Sequence, residues 1–169
     1  MSTNNAAYHA LLDHDLAAAH RHIDAALARA EARALRIPLQ YLFSTRGELA
    51  LAEEQFDEAE QWFARALSEA QRNGNEAHVA NTLANQGMLA RARGDLDEAL
   101  VLLNRARTEA SRLPVPHLQA QSALRLAELY GQRGERMAAD ESLRQAEALL
   151  ANGERRRLKH EAQQLRLTL

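Results

Sequence analysis

The chain has 169 residues, 46% hydrophobic and 26% charged, with a formal net charge of −2 and no cysteine. That is enough for one domain with a real core, and it lacks the basic excess of a nucleic-acid binder. Without cysteine, disulfides, thiolate catalysis and Cys-based zinc sites are excluded. Aromatics are only 4%, so the core is built from Ala and Leu, both strong helix formers. The opening Met1-Ser2-Thr3-Asn4-Asn5 has no basic and then apolar leader, and no apolar run is long enough to span a bilayer. The default expectation is a cytoplasmic protein with no membrane contact.

Three columns recur every forty residues. One is Ala19, Ala59, Ala99 and Ala139. The second is Ala26, Ala66, Ala106 and Ala146. Between them lie Ile23, Phe63, Leu103 and Leu143. A fixed period of this size means stacked supersecondary units, none of which buries its apolar face alone.

The period places the helices in chain order. The first unit, about 1–35, is incomplete, and its first helix runs only from Asn4 to about His14. The second unit, about 38–73, opens after Arg36-Ile37-Pro38, with helices over Leu39–Glu53 and Phe56–Arg72. In Asn73-Gly74-Asn75, Gly74 suits the left-handed position after a helix and Asn75 suits a cap. The third unit, about 75–112, has helices over Glu76–Arg93 and from Asp95 to Arg112. Asp95-Leu96-Asp97-Glu98 has the form of a capping box. The fourth unit, about 116–152, follows Pro114 and Pro116, with a helix over His117–Arg133, a turn at Gly134 and a helix to about Ala151. Asn152-Gly153 ends it. In the tail, 154–169, Leu158, Ala162, Leu165 and Leu169 share one helical face, which predicts a helix capping the end of the stack.

These residues resemble the tetratricopeptide repeat (TPR) family. The third unit carries the likeness best, through Gly87 in its first helix, Gly94 in the turn, and the series Ala99, Leu103, Ala106. Phe43, Gly47, Phe56, Ala59, Phe63 and Ala66 match in the second unit, and Ala127, Tyr130, Gly134, Ala139, Leu143 and Ala146 in the fourth. The period of forty is longer than the family's usual repeat, as in the extended repeats of kinesin light chains and bacterial regulators. The resemblance implies an all-α fold, an α-solenoid of stacked antiparallel helix pairs in a right-handed superhelix, over a single domain 1–169.

It also implies a peptide-binding groove lined by the first helix of each pair. By position, the lining is Tyr41, Ser44, Thr45 and Glu48, then Asn81, Asn85 and Met88, then Gln121, Arg125 and Glu128. Asn85 stands where the family commonly bonds a peptide backbone, and an amide both donates and accepts. Arg125, one repeat on, suits a carboxylate held in two parallel bonds. Both also suit a merely solvated surface. The family's chaperone-tail clamp is matched only at these two. Ser44, Glu48 and Gln121 stand where that clamp has Lys, Asn and Lys, and Glu48 would repel a carboxylate.

Other polar groupings read as surface. His9, His14, His20 and His22, with Asp13 and Asp15, have the chemistry of metal ligands. A turn near His14 separates them, and His20 and His22 point to different faces of one helix, so no metal is expected. Arg155-Arg156-Arg157 with Lys159 is a solvated helix face or a short anionic contact. The chain has no phosphate loop, nucleophile elbow or His-Glu-x-x-His. No enzyme activity and no cofactor are expected. The expected function is a non-enzymatic scaffold that binds a protein or peptide segment in the groove. The alternatives are a sensor or regulatory domain, and a homodimer formed through the C-terminal helix.

Overall fold

The computed structural model describes residues 3–32, 39–151 and 155–169. The expected break at Arg36-Ile37-Pro38, the stop at Asn152-Gly153 and the start of the tail at Glu154 lie outside them. The described residues form nine helices and no strand: α1 (Thr3–Leu12), α2 (Leu16–Ala32), α3 (Leu39–Ala52), α4 (Phe56–Arg72), α5 (Glu76–Arg93), α6 (Leu96–Ser111), α7 (Pro116–Gln132), α8 (Arg136–Leu150) and α9 (Arg156–Thr168). The fold is thus all-α, of the solenoid type, with consecutive helices packed in pairs. Two compact units appear, Met1–His78 and Val79–Leu169.

In the first unit α1 pairs with α2 and α3 with α4, while α2 and α1 both pack on α3. In the second, α7 pairs with α8, α6 packs on α7, and α9 packs on both α7 and α8. All twelve residues of the three columns are buried. The reason is visible at two glycines. A Cβ on Gly47 would lie 2.6 Å from the Phe63 ring, and one on Gly87 would lie 2.7 Å from Leu103. Phe63 and Leu103 therefore each sit against a missing side chain on the first helix of their pair. Sixteen residues also separate Ala7 from Ile23 and Ala127 from Leu143, and each of those pairs shares one core cluster.

The hairpin turns repeat as strictly as the columns. His14, Glu54, Gly94 and Gly134 are spaced by forty and all have positive φ, at 58°, 59°, 87° and 75°. Each closes its helix in the same way. The Glu54 N–H donates to the Leu51 carbonyl at 3.1 Å and the Gln55 N–H to the Ala50 carbonyl at 2.8 Å. Those two bonds make the left-handed helix stop that satisfies the last carbonyls. The next residue at once begins the following helix, because the Gln55 carbonyl accepts from the Ala59 N–H at 2.9 Å. Gly74 (φ 62°) makes the same stop, and Asn75 then caps α5 by accepting from the His78 N–H at 3.1 Å. Asp95 caps α6 likewise, accepting from the Glu98 N–H at 3.1 Å, as expected. Pro116 occupies the first position of α7, where its missing N–H costs nothing.

Glu54 is strained at this turn, since a left-handed L-residue costs roughly 1–2 kcal/mol. Glycine would relieve that at a smaller cost in unfolded-chain entropy. Glu54→Gly should therefore raise stability by up to about 1 kcal/mol, and Gly94→Ala should lower it by about 1 kcal/mol. Urea unfolding of the two variants checks both signs.

Candidate functional site

The expected groove residues fall on three first helices, and the structure treats them differently. On α3, Ser44 and Thr45 are 3% and 5% exposed and do not lie on an open surface. Packing explains this departure from the expectation. α1 lies against α3, and the Thr45 hydroxyl stands 3.1 Å from Asn4 Oδ1 and 3.0 Å from the Tyr41 carbonyl. The Ser44 hydroxyl donates to Glu48 Oε1 at 3.4 Å, and Glu48 is half-buried. Tyr41 remains 41% exposed, but its hydroxyl accepts from Asn75 Nδ2 at 2.9 Å. Its ring is 4.5 Å from the His78 ring, tilted by 58°. Beside it, Asn73 Nδ2 donates to Gln40 Oε1 at 2.9 Å, and His78 Nε2 donates to the Gln40 carbonyl at 2.9 Å. In the first unit, then, these polar side chains join helix to helix.

In the second unit the picture is more open. Asn81, Asn85 and Met88 on α5 are half-buried, as are Gln121, Arg125 and Glu128 on α7. Between them on each helix lie buried residues that face the core, including Thr82, Leu83 and Ala84 on α5 and Ser122, Ala123 and Leu124 on α7. The two helices are bridged by Arg91, whose Nη1 donates to Glu128 Oε2 at 2.7 Å. The other Glu128 oxygen accepts from Arg125 Nη1 at 3.0 Å. Arg125 is 20% exposed and has a second carboxylate near it: its Nη2 is 3.9 Å from Glu161 Oε2 on α9. Arg157 Nε holds the other Glu161 oxygen at 3.1 Å.

Arg91 and Glu161 were not among the expected residues, and Arg157 was expected only as part of the basic run Arg155-Arg156-Arg157. The i,i+3 spacing of Arg125 and Glu128 was a readable ion-pair signal. Nothing in the sequence announced that α9 would bring Glu161 to Arg125.

The early histidines go elsewhere. His20 Nδ1 accepts from Arg46 Nη1 at 2.6 Å, so His20 Nε2 carries the proton and donates to Glu53 Oε1 at 2.8 Å. Arg46 reaches Glu58 at 3.2 Å, and Glu58 accepts from the Trp62 indole at 3.0 Å. The Arg65 guanidinium stacks over Phe43 and Trp62, 4.3 and 4.5 Å from their centroids. His9 and His14 are exposed. Among the described residues no three His, Cys, Asp or Glu side chains are grouped to hold a metal ion, and no helix is long and apolar enough to cross a membrane.

Residues 40–108 match the tetratricopeptide repeat family model. The crystal structure of BtubC (BKLC) from P. vanneervenii superposes with a TM-score of 0.70 at 23% identity, over 87% of this chain. The chain spans 62% of the BtubC structure's length, and at that identity the likeness speaks for the fold alone. A Podosopora anserina structure of kinesin light chain nearly identical TPR-like repeats gives a TM-score of 0.39 at 21% identity, over 91% of this chain and 96% of that one. No curated protein sequence matches the chain.

Burial pushes the His78 imidazole below its ordinary range, against the opposing effect of its bond to the Gln40 carbonyl. Burial, then the charge of Arg155, does the same to His117. The folded state resists protonation at His78, while the unfolded chain takes up a proton near pH 6.5. Stability is therefore full above about pH 6.5 and falls as the pH drops towards the folded-state value, by at most about 1.4 kcal/mol per pH unit for one proton. His78→Gln keeps a donor for Gln40 and should flatten this acid slope relative to the native chain. Urea unfolding at several values between pH 5 and 7.5 measures it, and an unchanged slope would mean His78 does not contribute.

Proposed function

We propose that this chain, which belongs to the tetratricopeptide repeat family through residues 40–108, is a non-enzymatic interaction module that takes an extended peptide across α5 and α7. Tetratricopeptide repeats generally mediate protein–protein interaction, and that much comes with the family. The finer assignment is supported by one observation. Two adjacent first helices, bridged by Arg91 and Glu128, carry half-buried polar side chains at matched repeat positions, Asn81 with Gln121 and Asn85 with Arg125. Amides can bond a peptide backbone from either side, and a guanidinium can take an acidic group in two parallel bonds. Met88 adds an adaptable apolar contact.

The burial of Ser44 and Thr45 argues for a ligand path on α5 and α7 rather than on α3. The packing of α9 favours a capping helix over a dimer seam. Leu158 and Ala162 are buried within the second unit, and a Cβ on Gly131 would lie 2.6 Å from Leu169.

Replacing Asn85 and Arg125 together with Ala should weaken capture of protein partners from the native lysate. Each lost charge-assisted bond is worth roughly 1.5–3 kcal/mol. Quantitative affinity capture against the native chain checks this. Equal capture by the double variant, still folded by circular dichroism, would move the site away from this face.

A further inference from the structure

Around Arg125 the ion pairs of α5, α7 and α9 set three guanidinium groups, Arg91, Arg125 and Arg157, against two carboxylates, Glu128 and Glu161. Glu128 spends both oxygens, one on Arg91 at 2.7 Å and one on Arg125 at 3.0 Å. Two guanidinium groups thus share one carboxylate, and the α5–α7 pairing is left with one surplus positive charge. Glu161 brings a second carboxylate, shared with Arg157 of its own helix, and serves Arg125 poorly. Its Oε2 stands 3.9 Å from Arg125 Nη2, beyond hydrogen-bond reach. That oxygen is buried and has no hydrogen-bond partner among the described residues. Glu161 answers the charge of Arg125 without using its donors, and a buried acceptor left unbonded is costly.

We infer that Glu161 is an internal stand-in for the carboxylate of an acidic peptide at Arg125, an inference that rests on the groove reading above. A ligand carboxylate approaching within about 2.7–2.9 Å would satisfy the same charge and also the free geometry of the guanidinium fork. It would displace a contact that has charge but no hydrogen bond. The exchange does not require α9 to leave. Leu158 and Ala162 anchor the helix in the core, and Arg166 ties it to Asp140 and Glu147 on α8. Arg157 holds the other Glu161 oxygen at 3.1 Å, so Glu161 keeps a partner when its contact with Arg125 is displaced. The tail helix thereby sets a threshold: a peptide binds at Arg125 only if its acidic group outcompetes Glu161.

The test uses the full-length chain and two fluorescein-labelled probes, hexaglutamate and hexalysine, read by anisotropy. Variants are Glu161→Gln, Glu161→Ala, Arg125→Gln, and Glu161→Gln with Arg125→Gln, each confirmed as folded by its melting curve. Removing the Glu161 charge should tighten hexaglutamate binding about 5- to 30-fold, the factor equivalent to 1–2 kcal/mol. The gain should vanish when Arg125 is also changed, and hexalysine should show no such gain. If the gain persists without Arg125, it is a general charge effect on the basic start of α9, and the stand-in is overturned. If Glu161→Gln binds like the native chain while Arg125→Gln binds more weakly, the groove holds and the stand-in alone falls. If neither substitution changes hexaglutamate binding, both fall.

Discussion

Each helix pair rests on one contact, a large apolar side chain on the second helix seated where the first helix has almost none. Phe63 meets Gly47 and Leu103 meets Gly87 at distances a Cβ could not share. Close approach matters because dispersion falls steeply with separation, so a gap of even half an ångström forfeits much of the attraction. The alanine columns on either side extend the same logic along the helix. Small residues let the backbones come together, and the large residue fills the space that remains. Phe63 and Leu103 face glycine, while Ile23 and Leu143 go with Ala7 and Ala127.

The turns keep that contact in register. A helix stop and a helix start share three residues, so each pair reverses with little slack. The carbonyl after the left-handed residue always accepts from the first column alanine, Ala19, Ala59, Ala99 or Ala139. The turn thus sets the position of the alanine, and the alanine sets the depth of the large residue four places on. Backbone strain at His14 and Glu54 is tolerated because this geometry is needed whether or not glycine supplies it. On the same frame, polar side chains take whatever partner the next helix offers. In the first unit they tie α1, α3 and the start of α5 together. In the second they form the ion pairs of α5, α7 and α9.

The helices were legible in the sequence because their causes are local and repeated. The columns, Gly74, Gly94, Gly134 and the caps Asn75 and Asp95 each name a structural role by residue type and spacing. The left-handed turns at His14 and Glu54 were less legible, since neither residue type asks for positive φ. The forty-residue step back from Gly94 was the available signal. The site was only partly legible. Spacing predicted that Asn85 and Arg125 would share a repeat position, but spacing says nothing about cover. Thr45 became buried because the short α1 lies against α3 and brings Asn4 to its hydroxyl. Arg125 acquired Glu161 because a helix thirty-odd residues later folds back onto α7, and the partner of an ion pair depends on that packing rather than on any local pattern.

A double-mutant cycle on Gly47 and Phe63 tests the central contact most directly. Gly47→Ala alone should destabilise by about 1–3 kcal/mol, as overpacking does, although alanine is the better helix former. Phe63→Leu alone should cost stability by leaving space beside Gly47. Combined, the smaller residue should accept the new Cβ, so the double variant should be more stable than the sum of the two by about 1 kcal/mol or more. Urea unfolding of the four proteins gives the coupling. Additive losses, within roughly 0.3–0.5 kcal/mol, would show that the two positions do not share a volume and would contradict the account.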